Sequence, residues 1–148
     1  KKWGVSEFDS LYTFYHAGFN VRSTDLQAFL GIRQLDKLEE INKIRHENFL
    51  LYSDLLEVSP QPDYCFISNF AFPIVSKNRD KIVQENNVEV RPMICGSMGK
   101  QPFYVKKYGK KYLPNADLLR EQGMYLPNHH LLTRKDIKFV CGLVKDLV

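Results

Sequence analysis

No stretch of the 148 residues approaches the ~20 consecutive apolar side chains of a bilayer-spanning helix. The opening Lys1-Lys2-Trp3-Gly4 leads into polar residues where a secretory leader would carry its apolar run. A membrane partner is therefore not expected, and the chain reads as cytoplasmic. Cysteine is scarce: Cys65, Cys95 and Cys141 form an odd set with long, irregular gaps and no Cys-x-x-Cys. Neither a disulfide framework nor a zinc site is implied, because each needs matched thiols at short or paired spacing. Self-contained catalytic signatures are missing as well: there is no Gly-x-Ser-x-Gly, His-Glu-x-x-His, Walker loop or Gly-x-Gly-x-x-Gly. His129 and His130 are neighbours in sequence, so their side chains diverge; they read as polar loop residues, and no metal is expected.

What is present suits one globular domain. Hydrophobic residues make up 44% of the chain and charged residues 26%, a balance that excludes a disordered tail or linker. The formal charge of +4 permits an anionic partner without requiring one. Lys106, Lys107, Lys110 and Lys111 sit among Tyr104, Tyr108 and Tyr112, the mixture of cations and rings that a nucleic-acid surface uses. A solvated loop is the simpler account, and nucleic acid is not an expected partner.

Residues 1–22 lack helical periodicity but carry Trp3, Phe8, Tyr12, Phe14, Tyr15 and Phe19. So many rings in irregular chain need a surface to lie on, so this segment is expected to cross onto another domain or subunit. Thr24-Asp25-Leu26-Gln27 has the capping-box pattern, and Leu26, Leu30, Leu35, Leu38, Ile41 and Ile44 recur at helical spacing, predicting one long helix to about Leu55. An apolar run over 65–74 and the alternating Val88-Glu89-Val90 predict strands, with a turn at Asn86-Asn87. Ser76 is placed to cap a short helix around Ile82 and Val83, and a glycine-punctuated loop is expected from Gly96 to Gly109. A further helix over 116–122 ends at Gly123, and a last one opens at Thr133 with Asp136 three residues on, burying Ile137, Val140, Val144 and Leu147. The fold class is α+β, with two or three short antiparallel strands.

One local feature points to an anion: Asn20 and Arg22 stand just before the capped helix start, where backbone N–H groups and the helix dipole favour a phosphate or carboxylate. A plain surface arginine accounts for Arg22 equally well.

The segment Phe19-Asn20-Val21-Arg22-Ser23-Thr24-Asp25-Leu26-Gln27-Ala28, continued by Gln34-Leu35-Asp36-Lys37-Leu38, closely resembles a motif of the DegT/DnrJ-type sugar aminotransferases and dehydratases. Supporting pieces are Phe70-Ala71-Phe72-Pro73-Ile74, Val90-Arg91-Pro92, Gln101-Pro102-Phe103-Tyr104 and Leu126-Pro127-Asn128-His129-His130, so the resemblance covers nearly the whole chain. It implies the small C-terminal domain (23–148) of a fold-type I enzyme that uses pyridoxal or pyridoxamine 5'-phosphate, preceded by a crossover (1–22) from a cofactor domain. The catalytic Schiff-base lysine, or the histidine that replaces it in the 3-dehydratases, would lie upstream, and the fragment alone would be inactive. The loop from Arg91 to Phe103 looks more like that of pyridoxamine-dependent 4-keto-6-deoxysugar 3-dehydratases than that of the aminotransferases. The iron–sulfur dehydratases are disfavoured, since their clustered cysteines have no counterpart. By resemblance, Asn20 serves the cofactor phosphate across a homodimer interface, and Arg22, Arg91, Lys100 and Gln101 hold a nucleotide sugar, with glutamate as amino donor. His16-Ala17 departs from the family pattern and leaves His16 without an inherited role. The alternatives are a sugar-nucleotide aminotransferase, a basic nucleic-acid-binding module and a dimerisation domain.

Overall fold

In the computed structural model, residues 3–18, 24–58, 62, 64–84, 88–94 and 96–148 are described. Three short strands, β1 (Ala71–Val75), β2 (Arg91–Pro92) and β3 (Gly123–Pro127), form an antiparallel sheet in the order β1-β3-β2. In the β1–β3 register Phe72 faces Leu126 and Ile74 faces Met124, so these four side chains share one side of the sheet, and all are buried. Helices α3 (Leu38–Leu55) and α7 (Arg134–Val144) cover that side with Phe49 and Tyr52, and with Ile137, Val140, Cys141 and Val144. This is the core, and the fold is α+β as expected.

The long helix is two helices. The capping box at Thr24 and Gln27 forms and starts α2 (Asp25–Leu35), but the helix lapses at Asp36-Lys37 before α3 begins. Lys37 bonds back only three residues, to the Gln34 carbonyl, a tightening that ends the regular ladder. The two parts differ in what they meet. α3 lays Phe49 and Tyr52 on the sheet, whereas α2 buries nothing and leaves Leu26, Phe29, Leu30, Ile32 and Leu35 more than half exposed.

Other boundaries shift for identifiable reasons. The run 65–74 is a strand only over 71–75, because its partner β3 is five residues long. Residues 65–70 are held by side chains instead: His46 Nδ1 lies 3.1 Å from the Ile67 carbonyl oxygen, Ser68 donates to Asn42, and Asn128 donates to Asn69. Pairing in the next segment falls on Arg91-Pro92 rather than on 88–90. The expected turn at Asn86-Asn87 lies outside the described residues. Helix α4 (Arg79–Gln84) starts from the Asn78 carbonyl, and the Ser76 hydroxyl accepts from the Asn78 N–H while donating to the Leu147 carbonyl. The expected loop 96–109 contains a 3₁₀ turn (Met98–Lys100) and helix α5 (Pro102–Tyr108), opened by Pro102 at its first position. Helix α6 (Pro114–Gln122) and α7 stand where expected, α7 with the Thr133/Asp136 capping box and Ile137, Val140 and Val144 buried; Leu147 is partly buried.

The leading segment contains one helical turn, α1 (Glu7–Ser10), capped by the Ser6 hydroxyl on the Asp9 N–H. It packs partly on this chain: Arg79, itself buried, pairs with Asp9 at 3.1 Å, and Lys106 bonds the Tyr15 carbonyl with its ammonium over the Trp3 ring. Trp3, Leu11, Phe14 and Tyr15 remain exposed.

Gly123 closes α6 and opens β3 with extended backbone, so its need for glycine is steric. A Cβ there would lie 2.4 Å from the Leu119 carbonyl oxygen and 2.8 Å from Met93 Sδ. Gly123→Ala is expected to cost about 1–3 kcal/mol in urea unfolding, because the α6–β3 junction must open to admit the methyl group. A second expectation concerns Cys141, whose burial pushes its thiol pKa up to about 11. The unfolded thiol gives up its proton first as pH rises, so stability should fall between about pH 9 and 11. A Cys141→Ala variant should show a shallower fall over that range.

Candidate functional site

The expected substrate residues lie on the connection from β2 to α5. Gly96 gives it its shape: its φ of +46° is a left-handed conformation, and a Cβ there would meet Arg120 Cβ at 3.0 Å. Arg91, half exposed, turns its guanidinium onto Glu89, with Nε and Nη2 both donating to Oε1 at 3.0 and 2.7 Å. Glu89 and the Tyr12 hydroxyl raise the Arg91 pKa above the usual arginine value. Beside Arg91 runs an open groove of about 480 Å³, walled by Phe70, Tyr125, Pro127 and Phe139.

At the far end of the connection, Lys100 donates to Glu121 at 2.9 Å and lies 3.5 Å from Asp117 Oδ2. The hydrogen bond to Glu121 raises the lysine pKa against the opposing effect of burial, so its charge is secure near neutrality. Asp117 is buried beneath it, and its Oδ2 also accepts from the Leu113 N–H at the start of α6. The neighbouring Ser97 hydroxyl, then the Leu113 N–H and Lys100, hold the Asp117 carboxyl below the usual range. Ser97 Oγ and Asp117 Oδ1 are both buried, with no hydrogen bond of normal geometry among the described residues.

Gln101 is different in kind. Its side chain is fully buried; Oε1 accepts from the Phe14 N–H and Nε2 donates to the Tyr12 carbonyl, each at 3.0 Å. Its amide thus meets the leading segment rather than solvent. Asn20 and Arg22 lie outside the described residues. His16, His129 and His130 are exposed, and no cluster of metal-binding side chains occurs among the described residues. The rings and lysines of α5 are partly spent on one another: Tyr104 and Tyr108 pack at 4.9 Å, and Lys107 lies over Tyr108.

The sequence profile of the DegT/DnrJ/EryC1/StrS aminotransferase family matches residues 1–145. The chain belongs to this family. Among its relatives, the lipopolysaccharide biosynthesis protein RfbH of Salmonella typhimurium is 29% identical over 94% of this chain and 36% of its own length. The GDP-4-keto-6-deoxy-D-mannose 3-dehydratase of Yersinia pseudotuberculosis is 23% identical over 95% of this chain and 40% of its own. The fold matches that of an E. coli GDP-4-keto-6-deoxy-D-mannose-3-dehydratase solved with hydrated PLP, with a TM-score of 0.69 at 24% identity over 93% of this chain and 39% of that one. The chain thus spans about 40% of the length of these DegT/DnrJ relatives.

The family resemblance named Arg91 and Lys100 as candidates but did not name Asp117, Ser97 or Tyr12, which act on them or on their partners. Nothing local marks those three; they meet the loop only when α6 and the leading segment fold against it. The electrostatics make a checkable statement. A carboxyl held below its unfolded pKa contributes stability above about pH 4 and loses it as pH falls through the lower, folded value. Asp117→Asn should therefore destabilise the protein at pH 7, and the difference from the parent in urea unfolding should shrink towards pH 3.

Proposed function

We propose that the whole protein converts nucleotide-linked 4-keto-6-deoxy sugars to 3-deoxy products, as a 3-dehydratase dependent on pyridoxamine or pyridoxal 5'-phosphate in deoxysugar, O-antigen or polysaccharide biosynthesis. The observation that carries this reading is the arrangement at the two ends of the Arg91–Gln101 connection. Arg91 borders an open groove and Lys100 is held as a fixed cation, in a chain 95% of which aligns with 40% of a GDP-4-keto-6-deoxy-D-mannose 3-dehydratase.

The cofactor, when bound, supplies the electron sink that lets the hydroxyl at carbon 3 leave. This chain's part is binding and orientation. The α2 N-terminus, formed by the reciprocal Thr24/Gln27 cap directly after Asn20-Val21-Arg22, fits an anionic phosphate, with Asn20 donating to it. Arg91 and Lys100 hold the diphosphate and sugar oxygens of the substrate, and Arg22 contributes to the same anion. Their present partners, Glu89 and Glu121, are exposed carboxylates, so a phosphate can displace them at little cost. Gln101, next in sequence to Lys100, is buried against the leading segment. The exposed apolar side chains of α2 and of the leading segment give a homodimer its surface, with Asn20 serving the partner's site. Glutamate serves as amino donor, and the enzyme works in the cytoplasm.

A sugar-nucleotide aminotransferase is the second reading, favoured by the family's own description. The two separate on product analysis of the full-length enzyme with a nucleotide-linked 4-keto-6-deoxy sugar and glutamate. A 3-deoxy sugar with release of ammonia is expected; an amino sugar that retains the hydroxyl at carbon 3 would establish the aminotransferase. Arg91→Ala and Lys100→Ala should each weaken substrate binding by roughly ten- to a hundredfold, the effect of one hydrogen bond to a charged group.

A further inference from the structure

We propose that Gln101 is a positioning residue: its buried amide latches the leading segment onto the connection that carries Lys100, and so holds the cofactor-binding and substrate-binding residues of this chain in register. What is positioned rests on the functional reading above; the latch itself rests on the geometry.

Gln101 sits between the 3₁₀ turn that ends at Lys100 and the start of α5, where a polar side chain ordinarily caps the helix. It makes no such cap. Its Oε1 and Nε2 reach instead to main-chain groups 87 and 89 residues away, the Phe14 N–H and the Tyr12 carbonyl. Only a side chain with both a donor and an acceptor at that length completes this pair. The Phe103 N–H adds a third bond, to the Phe14 carbonyl at 3.2 Å, so residues 12–14 are gripped on both sides of Pro102 much as a strand is gripped by its neighbour. A substrate could reach the Gln101 amide only by displacing the leading segment. Asn20 and Arg22 follow Phe14 by six and eight residues in the same segment.

The test compares the full-length protein with its Gln101→Met, Gln101→Glu and Lys100→Ala forms. Methionine keeps the volume and loses both bonds. Hydrogen exchange at the Phe14 amide, measured without ligands, should accelerate about tenfold in Gln101→Met. Affinity for pyridoxal phosphate and for the nucleotide sugar should then fall together, each by about three- to tenfold, whereas Lys100→Ala should weaken the sugar nucleotide alone. Gln101→Glu carries the sharper signature. Its carboxylate can accept from Phe14 but repels the Tyr12 carbonyl; once protonated it donates, and burial raises the pH at which it does so. This variant should therefore behave like Gln101→Met at pH 8 and recover parent-like exchange at residues 12–18 near pH 5.5, a reversal that Gln101→Met cannot show. Unchanged exchange at Phe14 in Gln101→Met, absence of the pH reversal in Gln101→Glu, or loss of nucleotide-sugar affinity with cofactor affinity intact would each overturn the proposal. If Gln101→Met does not fold, the pH reversal in Gln101→Glu decides. A parent protein that neither binds the cofactor nor turns over a nucleotide sugar would refute the functional reading, while the exchange data would still judge the latch.

Discussion

Tyr52 lies fully buried between α3 and the sheet, its ring stacked at 4.8 Å on Phe72 and its hydroxyl donating to the Pro127 carbonyl at 2.9 Å. One side chain thereby ties a helix to both strands of the β1–β3 pair: to β1 through the ring and to the end of β3 through the phenol. Burial drives the phenol pKa up, which keeps it a donor across the whole physiological range. The sheet has only three strands, and β3 is the middle one, so whatever fixes β3 fixes the rest. α6 runs into β3 through Gly123, β2 pairs with it at Tyr125 and Met124, and α7 covers its buried side.

The candidate site is suspended from this frame rather than built into it. Arg91 leaves from the two-residue strand β2, Lys100 ends a 3₁₀ turn, and the carboxylate beneath Lys100 comes from α6. Each cation has an acidic partner near the surface, which keeps the charge fixed at modest desolvation cost. Asp117 contrasts with these, because a buried carboxylate that also holds the first turn of α6 is structural support for the ammonium above it. Electrostatic roles thus divide by depth: the exposed acids pair with the cations at the surface, and the buried one also holds the start of α6.

Apolar surface is distributed unevenly. One side of the sheet is closed by α3 and α7, while α2 and the rings of Trp3, Phe14 and Tyr15 stay open. A helix with five large apolar side chains and no buried residue is not stabilised by this chain's own packing, and its reciprocal cap is worth only about 1 kcal/mol. That imbalance accords with a chain that spans about 40% of the length of its DegT/DnrJ relatives.

The amino-acid order by itself determined the local devices. Two capping boxes, at Thr24 and Thr133, appear where the Thr-x-x-Gln and Thr-x-x-Asp patterns stand, and α7 buries the stripe that its spacing specifies. These depend on neighbours three or four residues apart, which a linear reading can see. The family motif was equally legible because it is written in contiguous segments. Tertiary structure alone decided the rest. Residues 65–74 are apolar enough for a longer strand, but a ladder extends only as far as its partner, and Gly123–Pro127, interrupted by no alternation signal, did not announce itself as that partner. By resemblance Gln101 reads as a nucleotide-sugar contact, and its burial against the leading segment is invisible in the sequence, because the groups that engage its amide are main-chain atoms nearly ninety residues away, and backbone atoms leave no mark in a sequence.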